Sequence, residues 1–93
     1  MNLATSDVPV MPPGVRLHED KVRNRWVLLA PERAISLDPV GHAILLEIDG
    51  SQSFGGIVST LAGKYNAPED QIAADVAEFI NGLMDRCILK VLG

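Results

Sequence analysis

The sequence contains a single cysteine, only four aromatic residues, few basic residues in its second half and no long apolar run, and each shortage excludes something. A lone thiol, Cys87, forms no internal disulfide and builds no cysteine-based zinc site, while His18 and His42 lack paired ligand spacing, so neither a metal nor a cofactor is expected. The longest apolar stretches, Trp26–Ala30 and Ala43–Leu46, fall far short of the roughly 20 residues of a membrane span. Met1–Gly14 has neither a basic n-region nor an apolar h-region, so no signal peptide is visible and the expected compartment is the cytoplasm. Gly55-Gly56 lacks the lysine and the spacing of a phosphate-binding loop.

With aromatics limited to Trp26, Phe54, Tyr65 and Phe79, the core must be aliphatic. Hydrophobic residues make up 47% of the 93 and mean hydropathy is +0.18. A chain of this length forms one domain and buries only about 60–65% of its unfolded surface. Its apolar content therefore exceeds what so small a fold easily covers.

The net charge of −4 is unevenly spread. Met1–Arg33 carries five basic residues (Arg16, Lys21, Arg23, Arg25, Arg33) against four acidic ones, whereas the remainder carries three basic and eight acidic.

Met1–Gly14, with Pro9, Pro12, Pro13 and Gly14, reads as a disordered or loosely docked tail, or equally as a linker, and residues 15–93 as the domain. From Val15 to Asp38 the period is that of strands: Val15 and Leu17 alternate with Arg16 and His18, Arg23-Asn24-Arg25 turns, Trp26–Ala30 is a buried strand, Pro31-Glu32 turns, and Ile35 and Leu37 alternate with Ala34 and Ser36. Short connections imply an antiparallel meander whose first and third strands are edges. Asp38-Pro39 then opens a helix that Gly50 ends. A second helix over Ser53–Tyr65 presents Phe54, Ile57, Val58, Leu61 and Tyr65, and a third over Pro68–Arg86 carries the stripe Ile72, Val76, Phe79, Ile80, Leu83, Cys87. Ile88–Leu92 closes the chain as a short extended segment. The expected fold is α+β and winged helix-turn-helix-like, a three-stranded antiparallel sheet followed by three α-helices.

Two readings of that shape compete. A DNA reader needs basic residues on its recognition helix, yet the third helix holds Glu69, Asp70, Asp75, Glu78 and Asp85 against Arg86. The other reading uses the third strand, whose run Ala34-Ile35-Ser36-Leu37 has neither charge nor proline and suits an added peptide strand. Ala73, Ala77, Ile80 and Met84 widen the apolar face of the third helix along one flank, which would form the opposite wall of a groove. Trp26 is read as a core anchor. Asp38, His42 and Cys87 supply residue types for a nucleophilic triad but are better explained as a helix cap, a first-turn residue and a member of the apolar stripe.

Trp26-Val27-Leu28-Leu29-Ala30-Pro31-Glu32-Arg33, then Leu37-Asp38, Ile44-Leu45, Asp49-Gly50, Tyr65 with Ala67-Pro68, and Asp75-Val76 with Phe79 closely resemble the pyrroloquinoline quinone (PQQ) biosynthesis protein D family over about Val15–Leu89. The resemblance implies a non-catalytic peptide chaperone, a recognition element for ribosomally synthesised precursor peptides. It would bind the precursor by strand addition and present it to a radical S-adenosylmethionine (SAM) enzyme, with no nucleic-acid or membrane partner. The implied peptide contacts are Arg33, Ala34, Ile35, Ser36, Leu37 and Asp38 on the strand side and Ala73, Val76, Ala77, Ile80, Leu83 and Met84 on the helix side. Family members also occur fused to another enzyme of the pathway, for which the tail would be a junction. An open edge also suits strand exchange between two copies.

Overall fold

The computed structural model describes residues 3–92. Residues 1 and 2 of the expected tail, and residue 93 at the domain's end, lie outside the described residues. The elements run β1 (Val8–Val10), β2 (Arg16–Asp20), β3 (Arg25–Ala30), β4 (Arg33–Leu37), α1 (Pro39–Leu46), α2 (Phe54–Tyr65), α3 (Glu69–Asp85) and β5 (Lys90–Leu92). Strands β2, β3 and β4 form an antiparallel sheet in that order, followed by three helices, which is the α+β, winged-helix-like arrangement the sequence leads one to expect.

Turn chemistry sets the register of this sheet. At the β2–β3 turn Asp20 Oδ1 accepts from the Arg23 N–H at 3.3 Å, Asn24 takes a φ of 54°, and Asp20 pairs across the strands with Arg25. Pro31 and Glu32 alone join β3 to β4, since Ala30 faces Arg33. Proline presets the first central position and Glu32 takes the second at φ 65°, a conformation normally left to glycine. The resulting register places Leu17, Leu28, Ile35 and Leu37 toward the helices and Ala34 and Ser36 on the outer face.

The first two helices begin with side-chain caps, and α3 begins after Pro68 with Glu69 and Asp70 in its first turn. Asp38 caps α1, its Oδ1 accepting from Gly41 N at 2.6 Å with Pro39 at the first position. Ser53 Oγ caps α2 through Gly56 N at 3.1 Å, and Asn66 ends it in the left-handed region. α1 stops at Leu46, earlier than Gly50; Gly50, at φ 84°, instead serves the next turn, where Asp49 Oδ1 collects the N–H groups of Ser51 and Gln52. The most deeply buried large side chains include Leu28, Ile44, Leu45, Ile57, Val76 and Ile80, all aliphatic.

One expectation is corrected. Cys87 is not part of the helical stripe: it lies beyond the end of α3, exposed, at φ 60°. Its N–H donates to Met84 O at 3.0 Å and that of Ile88 to Leu83 O at 2.9 Å, the hydrogen-bond pair of a Schellman stop. Helical periodicity looks the same one turn past a stop, and no glycine marks this one.

Of the two forms expected for the tail, its described part takes the docked one. Residues 8–10 form β1, paired antiparallel to β5 as Val8↔Leu92, Pro9↔Val91 and Val10↔Lys90. Upstream, Asp7 O accepts from Phe54 N at 2.7 Å and Thr5 O from Gly55 N at 3.0 Å, so the tail satisfies donors that the start of α2 leaves free. Proline density suggested irregular chain; a three-residue strand with a buried Pro9 is too short for periodicity to reveal.

Candidate functional site

The outer edge of β4 is open, since among the described residues no strand lies beyond it. A two-residue hairpin closes on a hydrogen-bonded pair, here Ala30 and Arg33. Pairs then alternate, so Ile35 and Leu37 bond to β3 while the N–H and C=O of Ala34 and Ser36 point away from it. The free edge thus offers two donors and two acceptors with no charged side chain between Arg33 and Asp38.

Beside this edge lies a groove of about 460 Å³. Ile35 of β4 and Asp38, Val40, Gly41 and Ile44 at the start of α1 form one side; Asp75, Glu78, Phe79, Gly82, Leu83 and Arg86 form the other. The latter set recurs every three or four residues, which is one stripe of α3. Phe79 lies against the first turn of α1, where a methyl group on Gly41 would come within 2.9 Å of its Cε1. At Gly82 a methyl group would meet nothing within 4 Å. Three carboxylates and one guanidinium border an apolar floor, so the groove is net acidic.

The structure separates the expected site residues into three groups. Ile35, Asp38 and Leu83 line the groove, while Arg33, Ala34, Ser36 and Leu37 complete the strand beside it. Val76 and Ile80, 1% and 0% exposed, belong to the core beneath. Ala73, Ala77 and Met84 fall on the other flank of α3, and Ala73 lines a cleft with Thr5 and Phe54. The helix side of this groove is thus the opposite flank of α3, Asp75, Glu78, Phe79, Gly82 and Arg86 together with Leu83. The sequence features of that flank are the mid-helical Gly82 and the charged residues spaced around Phe79.

The nucleophile types serve other purposes. Asp38 caps α1, Cys87 occupies the turn after α3, and the His42 ring stacks on Trp26 with centroids 4.3 Å apart and planes at 16°. Trp26, half-buried, thereby joins the sheet to α1.

A polar clamp fixes α1 against α2. Lys64 Nζ donates to Glu47 Oε2 at 2.8 Å, Gln52 Nε2 donates to Glu47 Oε1 at 3.2 Å, and Thr60 Oγ1 donates to Gln52 Oε1 at 2.9 Å. The Lys64 ammonium, helped by the Gln52 amide, holds the Glu47 carboxyl below the usual carboxylate range, and Glu47 in return raises the Lys64 ammonium above its ordinary value.

Comparison with known proteins adds a family. The model for coenzyme PQQ synthesis protein D (PqqD) matches residues 25–89. A "PqqA binding protein" of Rhizobium meliloti (strain 1021) is 41% identical over 90 residues, covering 97% of this chain and 92% of the relative. The solution NMR structure of the PqqD truncation of Methylobacterium extorquens PqqCD, a functional, stand-alone recognition element for ribosomally synthesised and post-translationally modified peptides, has a TM-score of 0.82 at 41% identity and covers 95% of this chain and 94% of that one. TbiB1 in complex with the TbiA(beta) leader peptide, 19% identical with a TM-score of 0.74 over 87% of this chain and 94% of that one, shares the fold. From its matched core of 65 positions outward to nearly full-length relatives, the chain belongs to the coenzyme PQQ synthesis protein D family, PqqD.

Proposed function

We propose that this chain is a peptide-binding recognition element that takes the precursor peptide PqqA as an added strand on β4 and presents it to the radical SAM enzyme of PQQ biosynthesis. The observation that carries this reading is the uncharged, unpaired edge of β4 beside a groove whose helical wall includes Gly82. A mid-helical glycine costs about 1 kcal/mol relative to alanine. Nothing in the fold requires it there, since a side chain at Gly82 would enter only the empty groove. The relatives named for PqqA binding and for peptide recognition support the same occupant.

Magnitudes require both parts of the site. Four strand hydrogen bonds contribute about 4 kcal/mol net, whereas micromolar binding needs about 8 kcal/mol beyond the entropy of association. Side chains of the peptide seated on Ile35, Phe79 and Leu83 supply the difference. The carboxylates of Asp38, Asp75 and Glu78 favour a peptide with basic residues facing α3 and oppose nucleic-acid phosphate. The role is delivery, not chemistry: Asp38 caps a helix, His42 stacks on Trp26 and Cys87 lies apart from them in the turn after α3, and a domain fused to another enzyme in the Methylobacterium relative fits one that brings substrate to enzymes.

Titrating isotope-labelled protein with PqqA tests the reading. Amide shifts concentrated in Arg33–Asp38 and Asp75–Arg86 support it, and shifts gathered elsewhere overturn it. Ser36→Pro removes an outward N–H from an edge strand that tolerates proline, so the variant folds and binds PqqA at least several-fold more weakly. Comigration of protein, PqqA and radical SAM enzyme as one species tests presentation.

A further inference from the structure

A second cavity adjoins the groove. It lies between α1, the end of α2 and the start of α3, has a volume of about 120 Å³, and shares Val40, Ile44 and Asp75 with the groove wall. Its remaining lining includes Ala43, Leu61 and Ile72, so apart from the Asp75 carboxylate at the shared boundary it is apolar. Val40 and Tyr65 form its rim and are each 58% exposed, placing them among the most exposed large hydrophobic residues of the chain.

We propose that this cavity is a side-chain subsite that receives one bulky aliphatic residue of the same peptide, just beyond the segment paired with β4. The inference rests on the peptide reading above and adds to it a point of sequence selectivity. Continuity argues for this occupant: β4 ends at Leu37, Asp38 and Pro39 follow, and Val40 then stands between groove and cavity. A peptide strand running along β4 toward its Asp38 end passes directly over that rim. Size agrees, since an apolar cavity of about 150 Å³ stays dry and accepts a benzene-sized hydrocarbon. The slightly smaller space here matches a leucine or isoleucine side chain better than an aromatic one. A polar or charged residue would lose its water against Ala43, Leu61 and Ile72 without gaining a hydrogen-bond partner.

The test is a set of double-mutant cycles with synthetic PqqA and variants in which each aliphatic residue in turn is replaced by alanine. Ala43→Phe fills the cavity without entering the strand-pairing edge, and Tyr65→Ala, on an exposed rim, keeps the measurement available if the first variant folds poorly. The expected result is one aliphatic-to-alanine peptide that binds the unmodified protein about tenfold more weakly, with the difference shrinking to less than twofold on Ala43→Phe and diminished on Tyr65→Ala. Contacts between the Leu61 and Ile72 methyl groups and that peptide side chain are expected by NMR. If Ser36→Pro weakens all peptides but no aliphatic position couples to residue 43 or 65, the subsite is overturned while the strand-addition reading stands. If Ser36→Pro is also without effect, the groove reading itself falls.

Discussion

Gly41 and Phe79 meet where α1 crosses α3: a Cβ on Gly41 would lie 2.9 Å from Phe79 Cε1 and 3.1 Å from the Asp38 Oδ1 that caps the helix. Both neighbours are fixed, one by packing and the other by its hydrogen bond, so the helical advantage of alanine is outweighed by crowding. Gly41→Ala is expected to destabilise the domain by about 1 kcal/mol in urea denaturation and to shift the Phe79 ring resonances. In a Phe79→Leu background the penalty should shrink to the part owed to Asp38; an undiminished penalty would show that the two residues are not in contact.

Gly82 and Gly63 form a matched pair. Both are helical, and a Cβ at either would meet nothing within 4 Å, but only Gly82 faces the groove. Gly63→Ala and Gly82→Ala should each raise stability by about 1 kcal/mol, a Tm gain of about 4–8 °C in a domain of this size. Larger side chains should separate them. Gly82→Leu is expected to weaken PqqA binding tenfold or more and Gly63→Leu to leave it unchanged, as read by calorimetric titration. Equal behaviour of the two leucine variants would place the peptide outside this groove.

How much of this was legible in the sequence depended on how local the controlling chemistry is. Asp38-Pro39 and Ser53 announced two helix starts, Pro31-Glu32 announced a hairpin, and Ala34–Leu37 was recognisable as an edge because charge and proline are both missing from it. The end of α3 at Arg86 was legible, but the left-handed turn at Cys87 was not, because that position is occupied by a residue that rarely adopts it. Nor was the flank of α3 that lines the groove. The wheel shows which residues are apolar, but whether Ala73 or Gly82 faces β4 is decided by how α3 sits on α1 and α2, a tertiary fact. The pairing of β1 with β5 joins segments at opposite ends of the chain, and no local pattern encodes it.

The clamp at Glu47 gives stability a pH dependence with a definite sign. Glu47 ionises in the folded protein below its ordinary value of 4.5, because Lys64 and then Gln52 hydrogen-bond to the carboxylate. Its contribution is therefore present above pH 4.5 and is lost as pH falls through the lowered value. Asp49, held down chiefly by the Ser51 and Gln52 N–H groups, acts in the same direction. Lys64 is raised above 10.5, so its share persists to that pH and is lost only as pH rises beyond it. Melting curves of the unmodified protein and Glu47→Gln should differ most between about pH 5 and 10 and converge as pH falls below 4. Raised salt should narrow the gap, as Lys64 is exposed. A gap that persists at pH 2 would assign the effect to packing instead of charge.

The docked tail makes a prediction of its own, because Gly55 lies against Thr5 so closely that a Cβ would overlap the Thr5 methyl group, with Thr5 O a further 3.3 Å neighbour. The same Thr5 O accepts from Gly55 N, so the contact cannot open without breaking the hydrogen bond that helps cap α2. Gly55→Ala should therefore release the segment upstream of β1 while leaving the core of α2 and α3 intact. In native-state hydrogen exchange the Gly55 and Phe54 amides should lose protection, and those of Lys90–Leu92 should follow as β1 detaches from β5, with Ile80 and Leu83 unaffected. Adding Thr5→Ala removes the overlapping methyl group and should restore protection at all these positions. Restoration at Gly55 without restoration in β5 would show that the two ends of the tail dock independently; failure at Gly55 itself would mean that crowding against Thr5 is not what requires a glycine there.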